Sequence, residues 1–409
     1  MSQGYRLFVG IDWAKEEHTI CILDANQKIL NQRTIKHSGQ GIGELADQLA
    51  KLSEGDCNIV AVAIETPRGA VVETLVERGF AVYSLNPKQM DRFRDRHTVA
   101  GAKDDRRDAF VMADALRTDL HLFHRVKLDD PLIIRIRELS RTEEDIAQNQ
   151  VRMGHQLREL LNRYFPQMLK ICPEVDEPWF WELLELVPLP TAKLSKSKIG
   201  KILGEYRIRR LTGEAIQQTL SEPPLRLAPG AAEAASEHVL LIIPMLRLMH
   251  KQRKELIRRI EVLLEQMSTE GQFTEHRDVE ILLSLTGIGR VVTATMLAEA
   301  SQPLAERDYH ALRAYGGTAP ITRQSGKRKS TLMRRSCNPR LRNAIYHWSR
   351  VSTQHDPRSK EHYAELRGKG HSHGRALRGV ADRLLAVLIA MLNSGTTYNP
   401  QLRGKASTQ

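Results

Sequence analysis

Residues 132–164 carry Leu132, Ile136, Leu139, Ile146, Met153, Leu157, Leu160 and Tyr164 on one four-and-three spacing, interrupted where Glu143 and Gln150 occupy the seam. A second stretch repeats the pattern with Ile242, Leu246, Met249, Leu256, Ile260, Leu263 and Met267, broken by Arg253. A repeat near 3.5 residues, sustained over this length, keeps an apolar stripe on one side of a helix for many turns, and that stripe has to be covered. The pattern predicts two long helices that form an antiparallel hairpin, a coiled coil between subunits, or part of an ordinary helical bundle. Pro244 is expected to kink or start the second helix, because proline has no amide donor. Between the two seams, residues 179–220 read as a small helical insert.

The start of the chain has a different period. "YRLFVGID", "HTICILD" and "KILNQRTIK" are short strand-like runs separated by "WAKEE" and "ANQ", which implies a β-meander. Residues 40–53 read as helix, "NIVAVAIE" (58–65) as a buried strand ending in a carboxylate, 69–78 as helix and "FAVYSL" (80–85) as another buried strand. A meander followed by alternating helices and strands argues for a mixed α/β sheet whose later strands are parallel. From about Gln272 the chain reads as helical with glycine punctuation. The expected division is an α/β domain over 1–125, a long-helix region over 126–270 and a helical domain over 271–409.

With 61 Lys and Arg against 49 Asp and Glu, the formal net charge is +12, which suits a polyanionic partner. Its distribution is more telling. Between Pro320 and Arg350 lie Arg323, Lys327, Arg328, Lys329, Arg334, Arg335, Arg340, Arg342 and Arg350 and no acid, an electrostatic footprint for phosphates. The four cysteines are scattered without C-x-x-C pairing, so neither a zinc site nor a disulfide framework is indicated. The longest apolar run, Leu384 to Leu392, is too short to span a bilayer. A cytoplasmic protein is expected.

Carboxylates recur at places where chemistry collects. Asp12 ends the first strand and Glu65 ends "AVAIE"; if those strands are neighbours, both face one crevice. In "AKDDRRDAFVMADALR", Asp105 and Asp108 stand at i,i+3 on one helical turn, whereas Asp114, which pairs with Arg117, is assigned to the surface. Four converging carboxylates stay ionised only beside cations, and Mg2+ is the natural occupant, because it prefers hard oxygen ligands and substrate phosphates. Further along, Gly287 and Gly289 of "LTGIGRVVTATM" permit a tight turn into a helix whose first amides can cradle a phosphate, in the manner of a helix-hairpin-helix.

These stretches, "FVGIDWAKEEHTICILD", "AIETPRGAVVETLVERGFAVYSLNPKQMDRFRDR" and "AKDDRRDAFVMADALR", together resemble the N-terminal domain of the DEDD transposases of insertion-sequence family one-ten. "LLSLTGIGRVVTATMLAEA" and "LRAYGGTAPITRQSGKRKSTLMRRSCNPRLRNAIYHWSR" resemble that family's C-terminal transposase domain. The resemblance implies a RuvC-like, RNase-H-like domain with Asp12, Glu65, Asp105 and Asp108 as metal ligands, and Asp104 stands where the family usually has threonine. It implies that Ser325, in the Gln-Ser-Gly motif, is the nucleophile that joins to DNA. It also implies an insertion-sequence transposase guided by a non-coding RNA from the element, whereas the expectation of a homo-oligomer, a dimer or tetramer, comes from the two seams. A metal-dependent junction nuclease, with Ser325 idle, and a non-catalytic nucleic-acid scaffold are the rival readings.

Overall fold

The apolar run LFVGI becomes a central strand in the computed structural model, which describes residues 4–85, 87–97, 104–127, 129–269, 274–326 and 328–399. This strand, β1 (Leu7–Trp13), pairs antiparallel with β2 (Glu17–Asp24), which pairs antiparallel with β3 (Ile29–Lys36). On its other side β1 runs parallel to β4 (Val60–Ile64), and β4 runs parallel to β5 (Ala81–Ser84). A two-residue strand, β6 (His124–Arg125), closes the order β3-β2-β1-β4-β5-β6.

Alternation along the strands builds two cores. Leu7, Val9 and Ile11 pack with α1 (Gly39–Leu52) and α2 (Ala70–Glu77), whose Leu45, Leu49, Val71 and Leu75 are buried in the same cluster. Phe8, Cys21, Ala61 and Ala63 point the other way, onto α3 (Pro87–His97) and α4 (Asp105–Asp119). The meander and the strand–helix alternation appear where the periodicity predicts them. Helix α3 and the edge strand β6 complete this first compact unit, Met1–Asp129.

The second unit, Asp130–Gln409, is mostly helical. Its first element is α5 (Pro131–Tyr164), capped by Asp130, whose carboxylate accepts the Leu132 amide at 2.7 Å. A helical insert follows: α6 (Pro166–Ile171), α7 (Pro178–Leu186), α8 (Lys196–Glu205) and α9 (Gly213–Leu220). Then α10 (Ala231–Thr269) returns along α5. The remainder is α11 (Thr274–Ser284), α12 (Arg290–Glu299), α13 (Ser301–Ala305), α14 (Tyr309–Tyr315), the hairpin β7 (Ile321–Ser325) and β8 (Arg328–Leu332), α15 (Pro339–His355), α16 (Pro357–Gly368) and α17 (His373–Ser394).

Of the three arrangements open for the seams, the chain adopts the antiparallel hairpin with itself. One end of the α5–α10 pair, Ile133 and Ile136 with Ile260, Leu263 and Met267, belongs to a core shared with α12, α15 and α17. The other end, Leu157, Leu161 and Tyr164 with Val239, Ile242 and Leu246, belongs to a core with the insert, where Trp179, Phe180 and Trp181 are buried. The buried stripe of α5 follows the spacing at Ile136, Glu143, Gln150, Leu157 and Tyr164 and departs from it by one residue at Ile133, Ser140, Gly154 and Leu161. The acidic and basic interruptions answer each other, because the Arg253 guanidinium donates to Glu143 Oε1 at 2.7 and 2.9 Å. Pro244 neither starts nor ends α10 but lies inside it. Its position is exposed, so water can satisfy the carbonyl that loses its amide partner.

The last third departs from the helical expectation at "ITRQSGKRKSTL", where Ser325 ends a strand. Ser325 pairs with Arg328, and Gly326 beside it has φ +56°, in the left-handed region that tight hairpins use. The four cysteines are free, and among the described residues no helix is long and apolar enough to cross a membrane.

Candidate active site

The sheet sets the positions of the first two carboxylates. Ile11 of β1 lies in register with Ile64 of β4, so Asp12 and Glu65 are the next residues at the carboxyl ends of two adjacent parallel strands. The sheet changes sense at β1, antiparallel to β2 and parallel to β4, and crevices of α/β sheets open at such a point. Asp12 is half-buried and Glu65 exposed.

The third block is brought to β1 by a missing side chain. A Cβ on Gly10 would stand 1.9 Å from the Ala109 carbonyl oxygen and 2.7 Å from the Ala113 amide nitrogen, so α4 lies directly on the β1 backbone two residues before Asp12. Asp104 caps α4 by accepting the Arg106 amide at 3.2 Å, which gives the departure from threonine an ordinary structural role. Asp105 is exposed on the first turn. Asp108, one turn on, is buried and gripped by Arg94 of α3, with Nε to Oδ1 at 2.8 Å and Nη2 to Oδ2 at 2.9 Å. Arg94 also reaches Asp91 at 2.9 Å, and its hydrogen bonds to Asp108 raise its pKa, holding it charged. Asp114 corrects the surface assignment: it is buried, and Arg117 neutralises it at 2.7 Å.

The carboxylates are therefore ordered, but they do not form a finished metal site in this arrangement. Among the described residues no three His, Cys, Asp or Glu side chains gather closely enough to share an ion, and both Asp108 oxygens already face a guanidinium. The pairing with Arg94 comes from a helix separated from α4 in sequence, and no spacing rule exposes it.

A second feature at the same strand end also escaped sequence reasoning. Trp13 follows Asp12 and pairs across the ladder with His18, with ring centroids 6.1 Å apart and planes 29° from parallel. His18 is fully buried, and its Nε2 lies 2.8 Å from Nδ1 of exposed His37. Burial, reinforced by His37, lowers the His18 pKa and keeps the ring neutral.

In the second unit the basic residues divide into two groups. Arg323, Arg335 and Arg350 are exposed, and Arg342 is half-buried. Arg328 and Lys329 lie in β8, whereas Lys327 falls outside the described residues. Arg334 donates to the Ala319 carbonyl at 3.4 Å. Arg340 is taken inward by Glu144 at 2.6 Å and Asp145 at 2.7 Å, while Arg141 of the same α5 forks onto buried Glu299 of α12. Asn338 donates to Glu299 at 2.7 Å, which ties α5, α12 and the start of α15 together.

Gly287 has φ +85°, and a Cβ there would meet Ser352 Oγ at 2.8 Å and its amide nitrogen at 2.9 Å. The turn is pinned to α15, because Trp348 Nε1 and Ser352 Oγ both donate to the Thr286 carbonyl. Gly289, by contrast, has an ordinary φ of −97° and open space where a Cβ would stand; it precedes α12 without a side-chain cap. The close approach therefore requires glycine only at 287.

A mixed sheet with carboxylates at the ends of its central parallel strands, followed by a helical unit with exposed basic residues, defines a class of enzymes that act on polynucleotides. Comparison gives the family. Residues 9–166 match a family described as "Transposase", and residues 279–364 match the "Transposase IS116/IS110/IS902 family". The Streptomyces coelicolor mini-circle protein assigned as the transposase for IS117 is 31% identical over 405 residues, 97% of this chain and 96% of that one. A Sinorhizobium fredii protein assigned as transposase y4uE is 42% identical over 240 residues, 57% of this chain and 64% of its own length. The 43.6 kDa protein of insertion element IS110 from Streptomyces coelicolor is 26% identical over 415 residues, 97% of this chain and 96% of that one. The chain belongs to the IS116/IS110/IS902 family of transposases.

Proposed function

We propose that this transposase moves its insertion sequence by cutting and rejoining DNA strands through a serine–DNA intermediate. The observation that carries the reading is the adjacency of Asp12 and Glu65 at the ends of β1 and β4, with α4, whose first turn bears Asp105 and Asp108, laid on Gly10 at Ala109 and Ala113. An RNase-H-like, RuvC-like domain fits the order of the sheet. Ser325 is the nucleophile: its Oγ forms a bond to phosphorus as the bond to one flanking sugar oxygen breaks, and that oxygen takes up a proton. The phosphoserine conserves the phosphodiester for rejoining.

Mg2+ is the proposed cofactor, with Asp12, Glu65, Asp105 and Asp108 as the residues that would hold it; when bound it would supply charge stabilisation at phosphate oxygens. Asp108 contributes only once Arg94 releases it. Arg323, Lys327, Arg328, Lys329, Arg334, Arg335 and Arg342, with the turn at Gly287 and Gly289, are the proposed backbone contacts, whereas Arg340 is assigned to holding α15 on α5. The same reading includes an element-encoded guide RNA, a dimer or tetramer, a cytoplasmic setting and a functional division near residues 125 and 270.

The test is a covalent adduct. Purified protein is incubated with element-end DNA, Mg2+ and co-purified RNA, and the products are resolved under denaturing conditions. An adduct with wild type and none with Ser325→Ala, together with loss of strand exchange, is the expected result. Normal cutting by Ser325→Ala would establish the junction-nuclease reading instead, in which water replaces the serine.

A further inference from the structure

We propose that Trp13 is a stacking platform for an unpaired nucleobase of the DNA strand being processed, braced from behind by His18 and His37. The proposal rests on the reading of the chain as a DNA strand transferase and refines where the strand lies.

The chain has four tryptophans, and three of them are core residues: Trp179 is 1% exposed and Trp181 and Trp348 are 0%. Trp13 is 42% exposed. An indole left in water at the end of a central strand is an apolar surface in want of a partner. Its surroundings decide what kind. Ala14, Lys15, Glu16 and Glu17 around it are exposed and mostly charged, so the apolar area is that of one ring. That area matches a single base and is far below what a protein interface buries.

The indole is also held still. His18 stacks behind it, and the His18 ring is fixed by burial and by its 2.8 Å bond to His37. A ring already immobilised loses little entropy when a base settles on it. This bracing carries a penalty of its own: His18 Nδ1 is buried without a hydrogen-bond partner, which an apolar residue at position 18 would avoid. Such an unsatisfied atom calls for a purpose beyond packing.

The placement fits the chemistry. Trp13 is the residue after Asp12, and strand alternation turns it to the opposite face, so a base on the indole leaves the carboxylate edge open to its phosphate. Exposed Lys15 and Lys36 flank the paired strands β1, β2 and β3, and exposed Arg68 follows β4, all suited to phosphate contacts.

Because Trp13 is the exposed tryptophan, its own emission reports the event. The full-length protein is titrated with a dT oligomer in EDTA, so that cleavage plays no part, and duplex binding is measured in parallel by anisotropy. Saturable change of emission and protection from acrylamide are expected for wild type. Trp13→Ala should lose both and bind the dT oligomer roughly 5- to 150-fold more weakly, with duplex affinity unchanged. Trp13→Tyr should keep most of the affinity. Undiminished dT binding by Trp13→Ala overturns the proposal, as does an emission change on concentrating the protein without DNA, which would mark a protein contact. Protection by an rU oligomer alone would overturn the assignment to DNA. A wild type that binds neither oligomer nor duplex sinks the parent reading as well, whereas a covalent adduct formed by Trp13→Ala with unchanged dT affinity sinks only this one.

Discussion

Asp108 is the residue on which the metal proposal turns. Its carboxylate is buried, and the Arg94 fork satisfies both oxygens, so removing the guanidinium leaves an unpaired buried charge that costs about 3 kcal/mol. A divalent cation reaching Asp12, Glu65 and Asp105 would take over that role. Arg94→Ala should therefore melt at a lower temperature than wild type in EDTA and recover more of its stability when Mg2+ is added, since a ligand binding only the folded state stabilises it by mass action. Equal Mg2+ responses in the two proteins would show that Arg94 and the cation do not compete. The bare positions Asp12, Glu65, Asp105 and Asp108 were legible in the sequence; the Arg94 grip was not, because it joins two helices by side chains whose spacing follows no local rule. The same holds for Arg340, whose partners Glu144 and Asp145 lie nearly two hundred residues away in the chain.

At the scale of elements, the α5–α10 hairpin is held by apolar contacts at its two ends and by Glu143 and Arg253 between them. Leu157 and Ile260 are fully buried within this hairpin, so a charge at either place should unfold the unit rather than separate subunits. The ion pair tests the middle. Glu143→Leu alone should lower stability by about 2 kcal/mol, because Arg253 loses its carboxylate and keeps only a long bond to Gln150, whereas Glu143→Leu with Arg253→Met should recover much of that stability. Denaturant melts of the three proteins check it, and a double variant no more stable than the single would refute the pairing as the cause. The seam was legible as a helix-forming pattern, and its polar interruptions Glu143 and Gln150 do lie in the buried stripe, but Ser140 and Gly154, which the apolar spacing leaves out, are buried there too. The hairpin β7–β8 was hidden for the opposite reason. Its strands are five residues each and mostly polar, so no apolar alternation announces them.

For the whole molecule, the net charge of +12 divides into residues committed to the fold and residues left to solvent. Neutralising Arg323, Arg335 and Arg350, which are exposed, should flatten the salt dependence of duplex binding by about 0.9 in log–log slope for each phosphate that is no longer neutralised. Arg340→Gln should leave that slope unchanged and lower thermal stability instead, since its guanidinium already serves α5. Anisotropy titrations across a salt series separate the two, and a slope change in Arg340→Gln would reverse the assignment. The α/β start and the helical remainder were legible because strands of period two and helices of period 3.6 leave strong marks. The partition of the second unit into two cores was not, because α5 and α10 each give one end to a core with the insert between them and the other end to a core with helices that follow α10.

That hairpin has a mechanical consequence. A straight helix of 34 residues measures about 51 Å, so α5 is a strut whose ends are embedded in different hydrophobic masses. Glu143 and Arg253 act as a dowel between its two rods: sliding one rod past the other by a single turn would pull the guanidinium from the carboxylate and leave the buried Glu143 charge without it. The strut can transmit a push or a twist from one end to the other without telescoping, and the distance between the two masses is thereby fixed by the count of residues in a helix.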